Sequence, residues 1–242
     1  MKKLTLIFCS IICFQSVYSQ GWLDVGLKGG YGLNFLVNKN LYNDHYFSPK
    51  ISSGYIFGGK IGVNINQSHA ITIDLTSSSL DQAYRYSLDS NVTTFTRSIG
   101  YNALNVNVMY RNTTNASYFE IGPQFSMISK TRYSDDLTKI DKLDIDTSFV
   151  KSYYGVAMGF GGYLIGTENF RVILGFRLSY ALNDIISESG KLINFPSSVK
   201  YENYSPSKPL TAMMMLELNY DIGYFTKSNC KKRKTSFILF SN

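Results

Sequence analysis

Between Phe149 and Asp184 apolar residues recur at every second position. The first half sets Val150, Tyr154, Val156, Met158, Phe160 and Leu164 against Lys151, Tyr153, Gly155, Ala157, Gly159 and Gly161. The second half sets Phe170, Val172, Leu174, Phe176, Leu178, Tyr180 and Leu182 against Arg171, Gly175, Arg177, Ser179 and Ala181. Successive strand side chains point to opposite faces, so this is a hairpin with one apolar face and one polar, glycine-rich face. Ile165 to Asn169 supplies the turn residues between its arms. A water-soluble sandwich shows the same alternation, so the surroundings of the apolar face have to be read from the rest of the chain.

The same period recurs on both sides of the hairpin. Strands are predicted over Leu23–Phe35, Tyr55–Ile65, Ala70 towards Tyr86, Phe95–Tyr110 and Tyr118–Ile128, and after the hairpin over Leu210–Phe225. Ile99 and Tyr101 fall out of step with Leu104, Val106, Val108 and Tyr110, which predicts a bulge near Asn102 or Ala103. Tight links at Asn66–His69, Arg111–Ser117 and Ile165–Asn169 alternate with long polar stretches at Val37–Gly54, around Asp89–Asn91, at Ser129–Ser148 and at Ile185–Pro209. Eight strands with alternately short and long connections predict an all-β fold: an eight-stranded antiparallel up-and-down transmembrane β-barrel with a filled polar lumen, in the outer membrane.

The polar-face charges then fix which face is which. They are Asp24, Lys28, Lys60, Asp74, Glu120, Lys151, Arg171, Arg177, Glu217 and Asp221, five acidic and five basic. A Lys or Arg on the lipid face near mid-bilayer costs about 2–4 kcal/mol, so all ten are expected inside. Eight strands leave room only for side chains, and unpaired buried charge is heavily penalised, so the ten are expected to pair and to leave no open pore. Glu120, Glu217, Asp24 and Asp74 are the expected partners of Lys151, Arg171 and Arg177.

Composition supports this class. Tyr (19) and Phe (16) are abundant and Asp, Glu, Lys and Arg make up only 17% of the chain. The net charge of +7 arises at the ends: Lys2 and Lys3, then Lys227, Lys231, Lys232, Arg233 and Lys234. Setting those seven aside from 24 basic residues leaves 17 against 17 acidic ones, so no nucleic-acid-binding face is expected on the body. Met1–Ser19 has the form of a secretory signal peptide, with Lys2-Lys3, an apolar run Leu4–Phe14 and the small residues Val17 and Ser19. Residues 20–226 form the expected barrel domain and residues 227–242 a basic, disordered tail. Of three cysteines Cys9 and Cys13 lie in the signal peptide, so Cys230 alone remains and neither a disulfide nor a cysteine metal cluster is expected.

No catalytic, cofactor or metal residues are assigned. His69 sits in a tight turn and is expected to be solvated; His45 has Asp44 and Ser48 near it in sequence, a weak basis for a hydrolase. Asp135, Asp136, Asp141, Asp144 and Asp146 are interleaved with Lys139 and Lys142 and do not have EF-hand spacing, which predicts a solvated loop. Tyr42, Tyr46, Tyr133, Tyr201 and Tyr204 suit either loop contacts or an aromatic girdle.

Phe119-Glu-Ile-Gly-Pro-Gln-Phe125, Gly155-Val-Ala-Met-Gly-Phe-Gly-Gly162 and Gly175-Phe-Arg-Leu-Ser-Tyr-Ala-Leu-Asn183 resemble the PorT-like family of small outer-membrane barrels, the likeness being carried by Glu120, Gly122, Pro123, Gly159, Arg177 and Tyr180. The resemblance implies a non-enzymatic barrel that contacts outer-membrane lipid and presents loops or assists an envelope or secretion assembly. Such barrels usually end on the aromatic residue of their last strand, here Phe225, whereas this chain continues to Asn242. The alternative class is a barrel that handles a small ligand or lipid, including a lipid-modifying hydrolase; a soluble lipocalin-like barrel would need the apolar face turned inward.

Overall fold

The computed structural model describes residues 21–44, 47–87, 94–167, 169–193, 195–197 and 203–224. The expected signal peptide and the expected basic tail, with Phe225, His45, Tyr46, Tyr201 and the loop around Asp89–Asn91, lie outside the described residues. Ten strands follow in chain order: β1 (Trp22–Val37), β2 (Phe47–Lys50), β3 (Ser52–Asn64), β4 (His69–Ser87), β5 (Thr94–Thr114), β6 (Ser117–Asp135), β7 (Ile140–Leu143), β8 (Ser152–Gly166), β9 (Phe170–Ala181) and β10 (Lys208–Tyr224). The eight long ones pair antiparallel in the order β1, β3, β4, β5, β6, β8, β9, β10, and β10 returns to β1 from Val37↔Lys208 to Trp22↔Tyr224. The sheet is a closed eight-stranded barrel with no free edge. The four-residue strands β2 and β7 are loop extensions paired with β4 and β6.

The connections alternate as the sequence predicts. Three tight ones lie at one end, with the start of β1 and the end of β10. Of these, the β5–β6 turn has Asn115 at φ 55°, a left-handed conformation that Asn tolerates. The long connections lie at the other end, called the loop end below.

The exterior is an apolar belt. Leu27, Tyr31, Phe57, Ile61, Ile73, Val108, Phe119, Met158, Phe160, Leu174, Met214 and Leu216 are all exposed, Ile73 at 52% and Phe160 at 58%. Alternate residues of the same strands are buried and mostly polar or small. Among the described residues no helix is long and apolar enough to cross a membrane. A closed antiparallel barrel satisfies every wall hydrogen bond internally, and an apolar girdle round a polar interior suits lipid, not water.

The predicted bulge is relocated. The β5–β6 ladder slips between Asn102 and Ala103, but Asn102 pairs with Lys130 and Ala103 with Ile128, so the extra residue is Ser129 on β6. β5 keeps its parity, and Ile99 and Tyr101 point inward like Asn105 and Asn107. β6 changes parity, which turns Thr131 and Asp135 into the barrel. A second shift between Tyr163 and Ile165 carries Ile165 outward, within β8 rather than in the turn expected there.

The lumen is filled in three layers, polar towards the turn end and apolar towards the loop end. Charged residues form the first layer. Asn105, Ser126, Gln124 and Ser78 form the second, with Ser126 Oγ donating to Asn105 Oδ1 at 2.7 Å and Asn105 Nδ2 donating to Ser78 Oγ at 3.0 Å. The third is an apolar cap of Leu80, Tyr84, Tyr101, Tyr153, Met213 and Met215 with Phe149, Ile185, Ile186 and Phe195 from the loops.

Ile73 pairs with Ile61 on one side and Val108 on the other, in mid-belt. Ile73→Lys is expected to lower the free energy of folding into lipid vesicles by about 2–4 kcal/mol in a urea titration.

Candidate functional site

Inward-facing positions of six strands carry a closed ring of alternating charge. Lys28 Nζ (β1) lies 2.7 Å from Asp74 Oδ2 (β4) and 3.2 Å from Glu217 Oε2 (β10). Asp74 Oδ2 also accepts from Arg177 Nη2 (β9) at 2.8 Å. Arg177 in turn bonds Glu120 (β6) through Nη2 and through Nε at 3.1 Å. Glu120 Oε2 accepts from Arg111 Nη2 (β5) at 2.7 Å, and Arg111 closes the ring on Glu217 with Nη1 at 2.9 Å and Nη2 at 2.8 Å. A branch leaves Glu217 through Lys60 (β3) at 2.6 Å, continues to Asp24 at 3.5 Å, and ends on Arg171, which lies 3.4 Å from Asp24 and bonds Asp221. All ten side chains are buried. Forked guanidinium contacts are the strongest ion pairs available, and three of the five cations here are arginines.

One strand of the wall contributes no charge. Towards the lumen β8 presents Gly155, Ala157, Gly159 and Gly161. A Cβ on Gly159 would stand 2.9 Å from Glu120 Oε1, so this glycine makes space for the ring. Gly175 does the same for Tyr118, whose hydroxyl would lie 2.1 Å from an added Cβ, and Arg111 stacks over that Tyr118 ring at 4.2 Å. The glycines of this hairpin are therefore the floor on which large side chains from other strands are laid.

Nine of the ten charges expected in the lumen are there: Asp24, Lys28, Lys60, Asp74, Glu120, Arg171, Arg177, Glu217 and Asp221. Lys151 is not. It lies in a bend just before β8 and is exposed, because strand parity ends where the strand does. Its place in the balance is taken by Arg111, which the sequence reading put in a turn; β5 runs on to Thr114, and Arg111 is 3% exposed. Five cations still face five anions. The inward parity of Asn105 and Asn107 was the signal that could have found it.

A second buried pair lies under the loops. Arg97 donates to Asp135 Oδ2 through Nη2 at 2.9 Å and Nε at 3.1 Å, and to the Pro196 carbonyl through Nη1 at 3.1 Å, with its guanidinium 4.8 Å from the centre of the Tyr86 ring. Asp135 is thus buried, against the expectation of a solvated acidic run. The other carboxylates of that run disperse: Asp136 accepts from Thr96 N, Asp141 from Ser134 Oγ and Asp146 from Thr131 N. His69, expected to be solvated, is half-buried at the turn end, with Nδ1 2.6 Å from the Tyr110 hydroxyl.

The loops are bonded to one another. Asn38 caps the short helix Lys39–Asn43 and donates to Ser205 O at 2.9 Å and Ser207 Oγ at 2.8 Å, while Ser187 N donates to Ser148 O at 3.0 Å. Tyr204 donates to Asp184 Oδ2 at 2.5 Å, and burial beside that carboxylate pushes its phenol well above the ordinary range. Cap and loops form one lid over the lumen.

Such a barrel, girdled by apolar side chains and filled by paired charges, is of the outer-membrane type. No protein-family model matches the chain, and no curated protein matches it. Among solved structures, Neisserial surface protein A aligns over 83% of this chain and 97% of its own at 12% identity and a TM-score of 0.42. The outer membrane protein OprG of Pseudomonas aeruginosa aligns over 85% and 98% at 10% identity and 0.41. Ail, the attachment invasion locus protein of Yersinia pestis, aligns over 82% and 99% at 13% identity and 0.39. The ring of strand pairings in this chain, and not these distant likenesses, establishes the barrel.

Arg177→Met leaves Glu120 and Asp74 short of a partner and is expected to cost about 3–5 kcal/mol in urea unfolding from detergent micelles. Combining it with Glu120→Gln is expected to recover part of that loss, because the lumen is neutral again; a double variant no more stable than Arg177→Met alone would contradict the pairing.

Proposed function

We propose that the chain is a non-enzymatic outer-membrane barrel that serves as a scaffold: it holds a bonded lid of loops at one face of the membrane and assists an envelope or secretion assembly, as its resemblance to the PorT-like family suggests. The observation that carries this reading is the ring Glu217–Lys28–Asp74–Arg177–Glu120–Arg111, which occupies the lumen from wall to wall. A transport path would have to break several desolvated ion pairs at once, each expensive to open. The aromatic cap above it, tied down by Arg97, supports the same reading.

The lid also offers a surface suited to protein contact. At the end of the short helix Glu188–Leu192, Leu192 is 85% exposed and Ile193 61%, at the loop end and away from the lipid belt. Apolar side chains held out in this way suit a partner protein better than water.

The reading is tested by single-channel recording of the refolded chain in a planar bilayer. The expected record is a flat baseline without stable steps. A reproducible conductance of porin size would overturn the scaffold reading.

A further inference from the structure

The β6–β8 seam parts before it reaches the loop end. The last pair of its ladder is Met127↔Ser152, followed by one backbone bond from Ile128 N to Lys151 O at 2.9 Å. Beyond that point β6 bulges at Ser129 and pairs with β7 through Tyr133 and Asp135. The chain preceding β8 leaves the wall instead, through Val150 to Phe149, which bridges to Ile186 under the lid. A cleft of about 460 Å³ opens at the parting.

Two features of this cleft point to its occupant. Its lining joins Phe125 and Met127 of the exterior belt to Ile128 and Val150, which pack against the apolar cap behind them, and Phe125 packs against outward-facing Tyr154 with ring centres 5.1 Å apart. Its margin carries Lys151, exposed and without an ion pair among the described residues. The acidic residue at the margin, Asp146, is turned to β6, where its Oδ1 accepts from Thr131 N at 2.9 Å and Thr131 Oγ1 at 2.8 Å. An apolar trough in the lipid-facing wall that ends on a free ammonium at the level where the belt gives way to polar loops matches the two halves of an anionic lipid.

We propose that the cleft is a lateral binding site for one phosphorylated lipid of the surrounding leaflet, with an acyl chain against Phe125, Met127 and Val150 and its phosphate on Lys151. The ligand enters sideways from the bilayer, so the site works without any opening of the lumen. It also gives Lys151, displaced from the charge network, a role that its position at the strand end allows.

The test is binding of diphosphorylated lipid A to the folded barrel in detergent micelles, read by native mass spectrometry, with folding of each variant checked by heat-dependent gel mobility. Wild type is expected to retain one lipid in saturable fashion. Lys151→Glu should weaken retention by at least about fivefold, the loss of one lysine's attraction to an anionic headgroup. Met127→Trp, which fills the trough and leaves the charge, should weaken it comparably. Lys50→Glu, an equal change on β2 at the opposite side of the barrel, should leave it unaltered. Dephosphorylated lipid A should compete poorly, and excess inorganic phosphate should not displace the lipid. Retention by Lys151→Glu equal to wild type, equal loss in Lys50→Glu, or equal competition by the dephosphorylated lipid would each overturn the proposal. If the charge reversal does not fold, Lys151→Gln carries the same test.

Discussion

A charge that points into a barrel of eight strands has no water to turn to. Its neighbours are the side chains of the other walls, and it is stable only if those supply the opposite sign at hydrogen-bond distance. Lipid outside forbids the same charges the other face. The two penalties act together on each residue: one sets the parity of every strand, the other sets the composition of the space that parity encloses. The alternating ring of six charges and its four-residue branch are what remains when both are satisfied.

Packing follows from the same constraint. Long arginines and glutamates from four strands cannot all project from equal walls, and the glycine-lined β8 is the recess into which they extend. Above them an amide and hydroxyl layer gives way to aromatic rings, so polarity falls from the turn end to the loop end. The loops do not hang free over this interior. They contribute Phe149, Ile185, Ile186 and Phe195 to it, so the external surface inherits the rigidity of the barrel.

Most of the wall was legible because the bilayer penalty acts residue by residue, and period-two alternation is its direct trace. Asp74 or Glu217 can be assigned to the lumen without knowing any partner. Parity fails at strand ends, which is why Lys151 was placed inside and Arg111 in a turn. It also fails at bulges: the inward turn of Asp135 depends on Ser129, a residue with no distinctive chemistry, and the sequence reading put the irregularity on the neighbouring strand. Partner choice was legible in part. Arg171 with Asp24 and Arg177 with Glu120 and Asp74 came from a list of available anions, whereas the bidentate grip of Arg111 on Glu217 depends on strand tilt and stagger, which no local pattern encodes. The Arg97–Asp135 pair needs both the bulge and the approach of Pro196, and was out of reach.

The ring has a further consequence, for how the barrel is made. Lys28 and Glu217 stand on the first and last strands, Asp74 meets Arg177 across the whole chamber, and none of these contacts exists in a half-assembled sheet. An incomplete barrel keeps its charges hydrated, and one whose final seam closes a step out of register traps them against the wrong neighbours. Correct closure is the one outcome in which all ten can leave water together. The alternation of charge therefore penalises a barrel whose final seam closes out of register.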